Sequence, residues 1–228
     1  MGDIIHENLL ANTFISSDAL SENELQTLYD NSKLVKHKKK HILFNEGDFT
    51  SHIFLLKSGL VKLSKKLKSN RSLIINITTP GKFIGLSSQF SSGIYNYTAT
   101  VIECCEIYYI NLKTFNTILE NNAKYAMSLM KIICNESLNV FNRVIAQNNR
   151  QLPGKLADLL LYFSEEIYHS NSFEFPLTRN ELAEMAGTTK ESLIRTLTEF
   201  KNDKIIAIEK KSIKLKSFEI LKTLSKIG

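Results

Sequence analysis

The 228-residue chain has only three cysteines, no apolar run near the roughly 20 residues that cross a bilayer, and no secretory leader pattern at its start. Each absence removes a class of protein. Without a span or a leader, the expected location is the cytoplasm. Cys104 and Cys105 are adjacent and Cys134 stands apart, so they offer neither an even disulfide framework nor the C-x-x-C spacing of a zinc site. All three are read as reduced, buried thiols. Between Ile42 and Ile110 the histidine and carboxylates are His52, Glu46, Asp48, Glu103 and Glu106, with no His-x-His and no paired-carboxylate spacing. A rival reading, a β-barrel enzyme or small-molecule-binding protein whose C-terminal helices merely pack, finds no catalytic constellation there. No enzyme activity, metal or cofactor is expected.

What is present supports two domains, since the length exceeds the roughly 100 to 200 residues of one domain and 43% of residues are apolar. The net charge of +6 favours an anionic partner. Residues 150–228 hold 13 Lys and Arg against 11 Asp and Glu, but residues 201–226 alone hold eight lysines against three acids. Those lysines read either as a solvated face or as phosphate contacts. Lys33, Lys36, Lys38, Lys39 and Lys40 form a second cluster, read as the exposed side of a loop entering a strand.

Periodicity divides the chain into three stretches. In "LSENELQTLYD", Ser21 and Glu24 have capping-box spacing and Leu25 and Leu28 follow at helical interval, which predicts a short helix. From Ile42 to about Ile110, short β-branched and aromatic runs such as "HIFLL", "LVKLSKKL", "YTATVI" and "EIYYI" alternate with turn signals such as "KSG" and "TPGK". That pattern predicts a sandwich or barrel-like β domain. From about Leu112 to Gln151 a long helix is expected, with Ala126, Met130, Ile133, Ser137, Val140 and Val144 at heptad spacing. The seam would face a second copy, while Met127, Leu129, Ile132 and Cys134 face the β domain; the alternative is one helix buried in its own domain. "QNNRQLPG" then marks a boundary.

The last stretch opens with "KLADLLLYFSEEI", an amphipathic helix, and continues into "TRNELAEMAGTTKESLIRTL". Thr178 and Glu181 have capping-box spacing, Leu182, Ala183 and Ala186 line an inner side, Gly187 supplies a turn, and Thr189 caps a second helix. On that helix Leu193, Leu197 and Phe200 share a core face, leaving Glu191, Ile194, Arg195 and Thr198 on the other. The Glu191 and Arg195 pair would be either a helix-stabilising ion pair or a base-reading pair, in which Arg holds guanine O6 and N7 and Glu accepts from cytosine N4. "KIIAIEKKSIKLKS" reads as two strands around Lys210 and Lys211, with Ile206, Ile208, Ile213 and Leu215 alternating inward. Helices followed by a hairpin make a winged helix-turn-helix.

This order resembles the cyclic-AMP receptor protein/FNR (Crp/Fnr) family of bacterial transcription regulators over nearly the whole chain. The resemblance rests on "NEGDFTSHIFLLKSGLVKL" and "PGKFIG", whose Gly47, Gly59, Gly81 and Gly85 fall at the family's turns, and on "LTRNELAEMAGTTKESLIRTL". It implies an α+β fold: a double-stranded β-helix (jelly roll) of the cyclic-nucleotide-binding type with an N-terminal helix over residues 1–116, a long dimerisation helix over 117–149, and a winged helix-turn-helix over 150–228. It also implies a homodimer on double-stranded DNA, with RNA polymerase a candidate further partner. Lys190, Glu191, Ile194, Arg195 and Thr198 would read bases, and Thr178, Thr189, Lys201, Lys204, Lys210, Lys211 and Lys214 would contact phosphates.

The departures concern the effector. Leu86 and Ser87 stand where family members that bind a cyclic nucleotide carry the ribose-binding Glu. Tyr97, followed by Thr98 and Ala99, stands where they carry the phosphate-binding Arg. Val140 and Phe141 replace the hydroxyls that would meet the purine. A buried phosphate needs a cation or several donors, so cyclic AMP is not expected to bind, and any effector at Leu86, Ser87, Tyr97, Thr98, Val140 and Phe141 is unidentified. The iron-sulfur branch needs N-terminal cysteines that are absent, and His6, His37, His41 and His52 read as surface residues rather than haem ligands.

Overall fold

The computed structural model describes residues 17–67 and 72–227, leaving aside the side chains of residues 142–144 and 146–149 in the long helix. His6 and the Val144 side chain lie outside the described residues. Two compact units are distinguished, one reaching to Leu138 and the other comprising Asn139–Gly228 together with Ser72–Ile74.

The first unit begins with a short helix, Glu22–Asp30, capped at Ser21 by the box its spacing announces: Ser21 donates its backbone N–H to Glu24 at 2.8 Å. That bond, with the Ser21 hydroxyl, holds the Glu24 carboxyl below the ordinary carboxylate range. Leu25 and Leu28 enter a core with Ile53, Leu55, Tyr108, Phe115, Tyr125 and Leu129. The strands are β1 (Ser32–His37), β2 (Ile42–Phe44), β3 (His52–Lys66), β4 (Ser72–Thr78), β5 (Phe83–Ile84) and β6 (Thr98–Asn111). They form an antiparallel sheet of order β1-β6-β3-β4, with β2 on β6 and β5 on β3.

Three features differ from the sequence reading. Lys33 and Lys36 lie on β1 rather than on a loop, where Lys36 and Lys57 both reach Glu106, at 3.0 and 3.2 Å. The four short runs on either side of "KSG" and "ECC" are two long strands, paired from His52↔Asn111 to Ser64↔Thr98 with register shifts around Gly59. Gly59, at φ +84°, is the pivot of a bulge and not a turn. A Cβ there would sit 2.7 Å from Cys105 Cβ, so the close approach of β3 to β6 admits no side chain. The cysteines are free, but Cys105 alone is buried, its thiol pushed up to about 11 by desolvation, while Cys104 and Cys134 are exposed. Adjacent residues on a strand point to opposite faces, so Cys104 and Cys105 could not both turn inward.

A helix over Leu112–Asn121 leads into the long helix, Ala123–Asn149. The second unit continues with a helix at Leu152–Leu161, a wider π-helical turn at Tyr162–Ile167, and β7 (Ser172–Glu174). Two helices, Arg179–Met185 and Lys190–Asn202, follow, then β8 (Ile206–Glu209), β9 (Ser212–Leu215) and a closing helix, Phe218–Ile227. Of the residues expected to alternate inward, Ile206, Ile213 and Leu215 are buried, whereas Ile208 is only half-buried. β7 adds a third strand on β9, which the sequence reading did not foresee.

Candidate nucleic-acid interface

Capping and periodicity build the interface. Thr178 donates its N–H and its hydroxyl to Glu181 Oε2, both at 2.8 Å, and accepts the Glu181 N–H at 3.3 Å. The helix this starts ends at Ala186, where Gly187 takes φ +63° and Thr188 N–H bonds the Ala183 carbonyl at 2.9 Å. The chain turns at once into the second helix. Thr189 caps it, accepting the Ser192 N–H at 3.2 Å. Leu193, Thr196, Leu197 and Phe200 of that helix are buried. Lys190, Glu191, Ile194, Arg195 and Thr198 are all exposed on the remaining face.

The pair of charges behaves unlike a local ion bridge. Among the described residues no ion pair joins Glu191 to Arg195. Arg195 Nε instead lies 3.9 Å from Glu199, a loose surface contact. A guanidinium held so weakly is free to present two parallel donors to a planar acceptor pair, the arrangement guanine offers in the major groove. The Thr198 hydroxyl donates to the Ile194 carbonyl at 2.9 Å.

The phosphate candidates fall into separate groups. Thr178 and Thr189 stand at helix starts, where backbone N–H groups and the helix dipole favour an anion. Lys210 and Lys211 form the tip of the β8–β9 hairpin and Lys214 projects from β9, all exposed. Lys201 and Lys204 lie at the far end of the second helix, roughly 16 Å along its axis from Lys190. Arg179, which the sequence reading passed over, belongs with Thr178. It is the first residue of the capped helix, its guanidinium lies over the Phe175 ring at 5.6 Å, and its NH1 is buried with no hydrogen-bond partner among the described residues. Desolvation lowers its pKa from the ordinary arginine value. A cation one residue after a cap was the signal available.

Aromatic rings pack on one another inside the β-roll. Phe44 stacks on Tyr95 with centroids 3.6 Å apart, and Phe54 packs edge-on against Tyr109 at 4.7 Å. Tyr97 turns inward, accepts the Gly85 N–H at 3.1 Å and meets the Ser87 hydroxyl; burial pushes its phenol up to about 12. Thr98 is occupied with Glu46, whose N–H it accepts at 3.0 Å, and Leu86 is part of the hydrophobic core. Val140 and Phe141 belong to the second unit. The histidines are not simply surface residues: His37 stacks on His41 at 4.3 Å and meets the Tyr109 hydroxyl at 2.8 Å, while His52 contacts Ser51. Burial, with His41 alongside, lowers the His37 pKa. Among the described residues no group of three or more His, Cys, Asp or Glu is placed to hold a metal ion.

On the long helix, Ala126, Ile133 and Val140 of the heptad seam are half-buried, and Ile133 packs on the β-roll core; Met130 and Ser137 are exposed. The exposed apolar stripe runs instead through Met127, Met130, Cys134, Leu138, Phe141 and Ile145. It shares only Met130 with the seam. Leu129 and Ile132 face the core as the sequence suggests, whereas Met127 and Cys134 do not.

Comparison with known proteins bears on both units. Residues 34–122 match the family described as the cyclic nucleotide-binding domain, and residues 154–224 match the Crp-like helix-turn-helix domain. The chain is 24% identical to the transcriptional activator protein FnrA of Stutzerimonas stutzeri, over 78% of this chain and 74% of that protein. It is 23% identical to the nitrogen fixation regulation protein FixK of Bradyrhizobium diazoefficiens, over 83% and 81%. The fold is that of FixK2 from Bradyrhizobium japonicum, with a TM-score of 0.77 at 17% identity, covering 85% of this chain and 96% of that one.

Proposed function

The chain belongs to the Crp/Fnr family of transcription regulators, and from that premise we propose a homodimer on a palindromic DNA site that does not respond to cyclic AMP. The observation that carries the reading is the capped second helix of the helix-turn-helix, which buries Leu193, Leu197 and Phe200 and leaves Glu191 and Arg195 exposed and unpaired with each other. Arg195 would read a guanine and Glu191 the adjoining cytosine edge. Lys190, Ile194 and Thr198 would complete the base contacts. Thr178, Arg179, Thr189, Lys201, Lys204, Lys210, Lys211 and Lys214 would hold phosphates. The protein would act in the cytoplasm without enzymatic activity, and RNA polymerase is the further partner that family membership suggests.

Two copies would meet along the stripe Met127, Met130, Cys134, Leu138, Phe141 and Ile145, setting half-sites about one helical turn (~34 Å) apart. Cys134 on both copies would then face across the two-fold axis. Mild oxidation should join two chains through Cys134, and Leu138→Asp should shift the sedimenting species to a monomer. A monomer in the unaltered protein, alone and on DNA, would refute the dimer. The reading against cyclic AMP draws on Tyr97, a neutral buried phenol engaged with Gly85 where a cation would be required. Calorimetry with micromolar cyclic AMP should give no binding heat. The regulator reading as a whole is tested by selecting sequences from a random duplex pool, from which a two-fold symmetric site should emerge.

A further inference from the structure

We propose that Ile194 reads the C5-methyl group of a thymine in each half-site, an assignment that rests on the second helix being the base reader. Ile194 is the only large apolar side chain exposed on that helix among the described residues, at 42% of its surface. It sits one turn from the Thr189 cap, within the N-terminal part that reaches base edges. At about 100° per residue, Glu191 points directly away from the buried Leu193, Leu197 and Phe200. Arg195 then lies roughly 40° to one side of it and Ile194 roughly 60° to the other. Ile194 and Arg195 therefore flank Glu191, and Ile194 meets a base pair beside the one that Glu191 and Arg195 share.

The chemistry of that position is narrow. Lys190, Glu191, Arg195 and Thr198 all carry donors or acceptors, whereas Ile194 has none to offer in place of the waters on guanine O6 and N7, adenine N7 and N6, or cytosine N4. Against those edges it would strip hydration without replacing it. The thymine methyl is the one major-groove feature that gains from an apolar contact, so Ile194 selects thymine by attraction and rejects the other bases by desolvation. The Thr198 hydroxyl, bonded to the Ile194 carbonyl, lies on the same side of the helix and borders the contact.

The test uses the site selected from the random pool, with each thymine replaced in turn by deoxyuridine, which lacks only the methyl. Binding is read by fluorescence anisotropy for the unaltered protein and for Ile194→Ala. At one thymine per half-site the replacement should weaken the unaltered protein about three- to tenfold and leave Ile194→Ala unchanged. Ile194→Ala should keep its affinity for random DNA, which shows the domain is folded. If every deoxyuridine duplex binds as well as the parent, or if the loss persists in Ile194→Ala, the methyl assignment is wrong while the base-reading helix stands. A pool that yields no preferred sequence would overturn the base-reading premise and this assignment with it.

Discussion

On the second helix of the helix-turn-helix, Glu191 and Arg195 stand in solvent, whereas in the β-roll Tyr95 and Tyr97 turn inward and commit their hydroxyls to the backbone of His52 and Gly85. Glu191, Arg195 and Tyr97 occupy positions the resemblance marks as functional. Those on the helix touch little of their own chain, so a substitution there changes what is bound and leaves the fold alone. In the β-roll Tyr95 stacks on Phe44 and Tyr97 lies against the same ring, so a substitution there changes the core itself. One unit keeps its chemistry available and the other has absorbed it into packing.

The sharpest way to break this comparison is Arg195→Ala. It should lose roughly 1 to 3 kcal/mol per half-site on the selected sequence, with random DNA and thermal stability nearly unchanged, as titration and melting would show. Tyr97→Phe should do the reverse. It leaves the buried Gly85 N–H without its acceptor, so unfolding in denaturant should show a loss of about 1 to 3 kcal/mol while the isolated base contacts are unaffected. The same phenol gives a pH signature. Tyr97 holds its proton to about 12 when folded, against roughly 10 when unfolded, so its contribution is fully present below pH 10 and is lost as pH rises toward 12. Denaturation midpoints should fall across that window, and less so in Tyr97→Phe. The smallest effect is expected at Tyr125, whose buried hydroxyl has no partner among the described residues and whose pKa burial raises. Tyr125→Phe should cost nothing and stabilise by at most about 1 kcal/mol. A clear loss there would mean the hydroxyl has an acceptor after all.

What could be seen in the sequence was what depends on neighbours along the chain. The boxes at Ser21 with Glu24 and at Thr178 with Glu181, the turn at Gly187 and the alternation of Ile206, Ile213 and Leu215 are all settled within a few residues. What escaped depends on distant pairing. β1 carries the exposed Lys33 and Lys36 and so resembles a loop, yet it pairs with β6 from Ser32↔Ile110 to His37↔Cys105. "KSG" looks like a turn because Gly59 has a turn's backbone, and only the approach of Cys105 shows that the strand carries on. β7 is three residues long and exists because β9 is there to receive it. On the long helix, heptad spacing found apolar residues but could not tell which side the β-roll would cover. Of the candidate site, the exposure of Glu191 and Arg195 follows from helical spacing, while the fate of Tyr97 depends on the rings around it.

The pairing of β3 with β6 also bears on how quickly each unit can form. Its register joins residues 34 apart at Ser64↔Thr98 and 59 apart at His52↔Asn111, so long stretches of chain must be closed before the ladder returns any stability. In the second unit the two-residue hairpin and the turn at Gly187 are local, but the closing helix returns to Leu152–Leu161, with Ser225 bonded to Asp158, 67 residues away, and β7 joins β9. Refolding of the β-roll from denaturant should therefore be limited by closing β3 on β6, with the bulge at Gly59 as the point where the late strands must find their match.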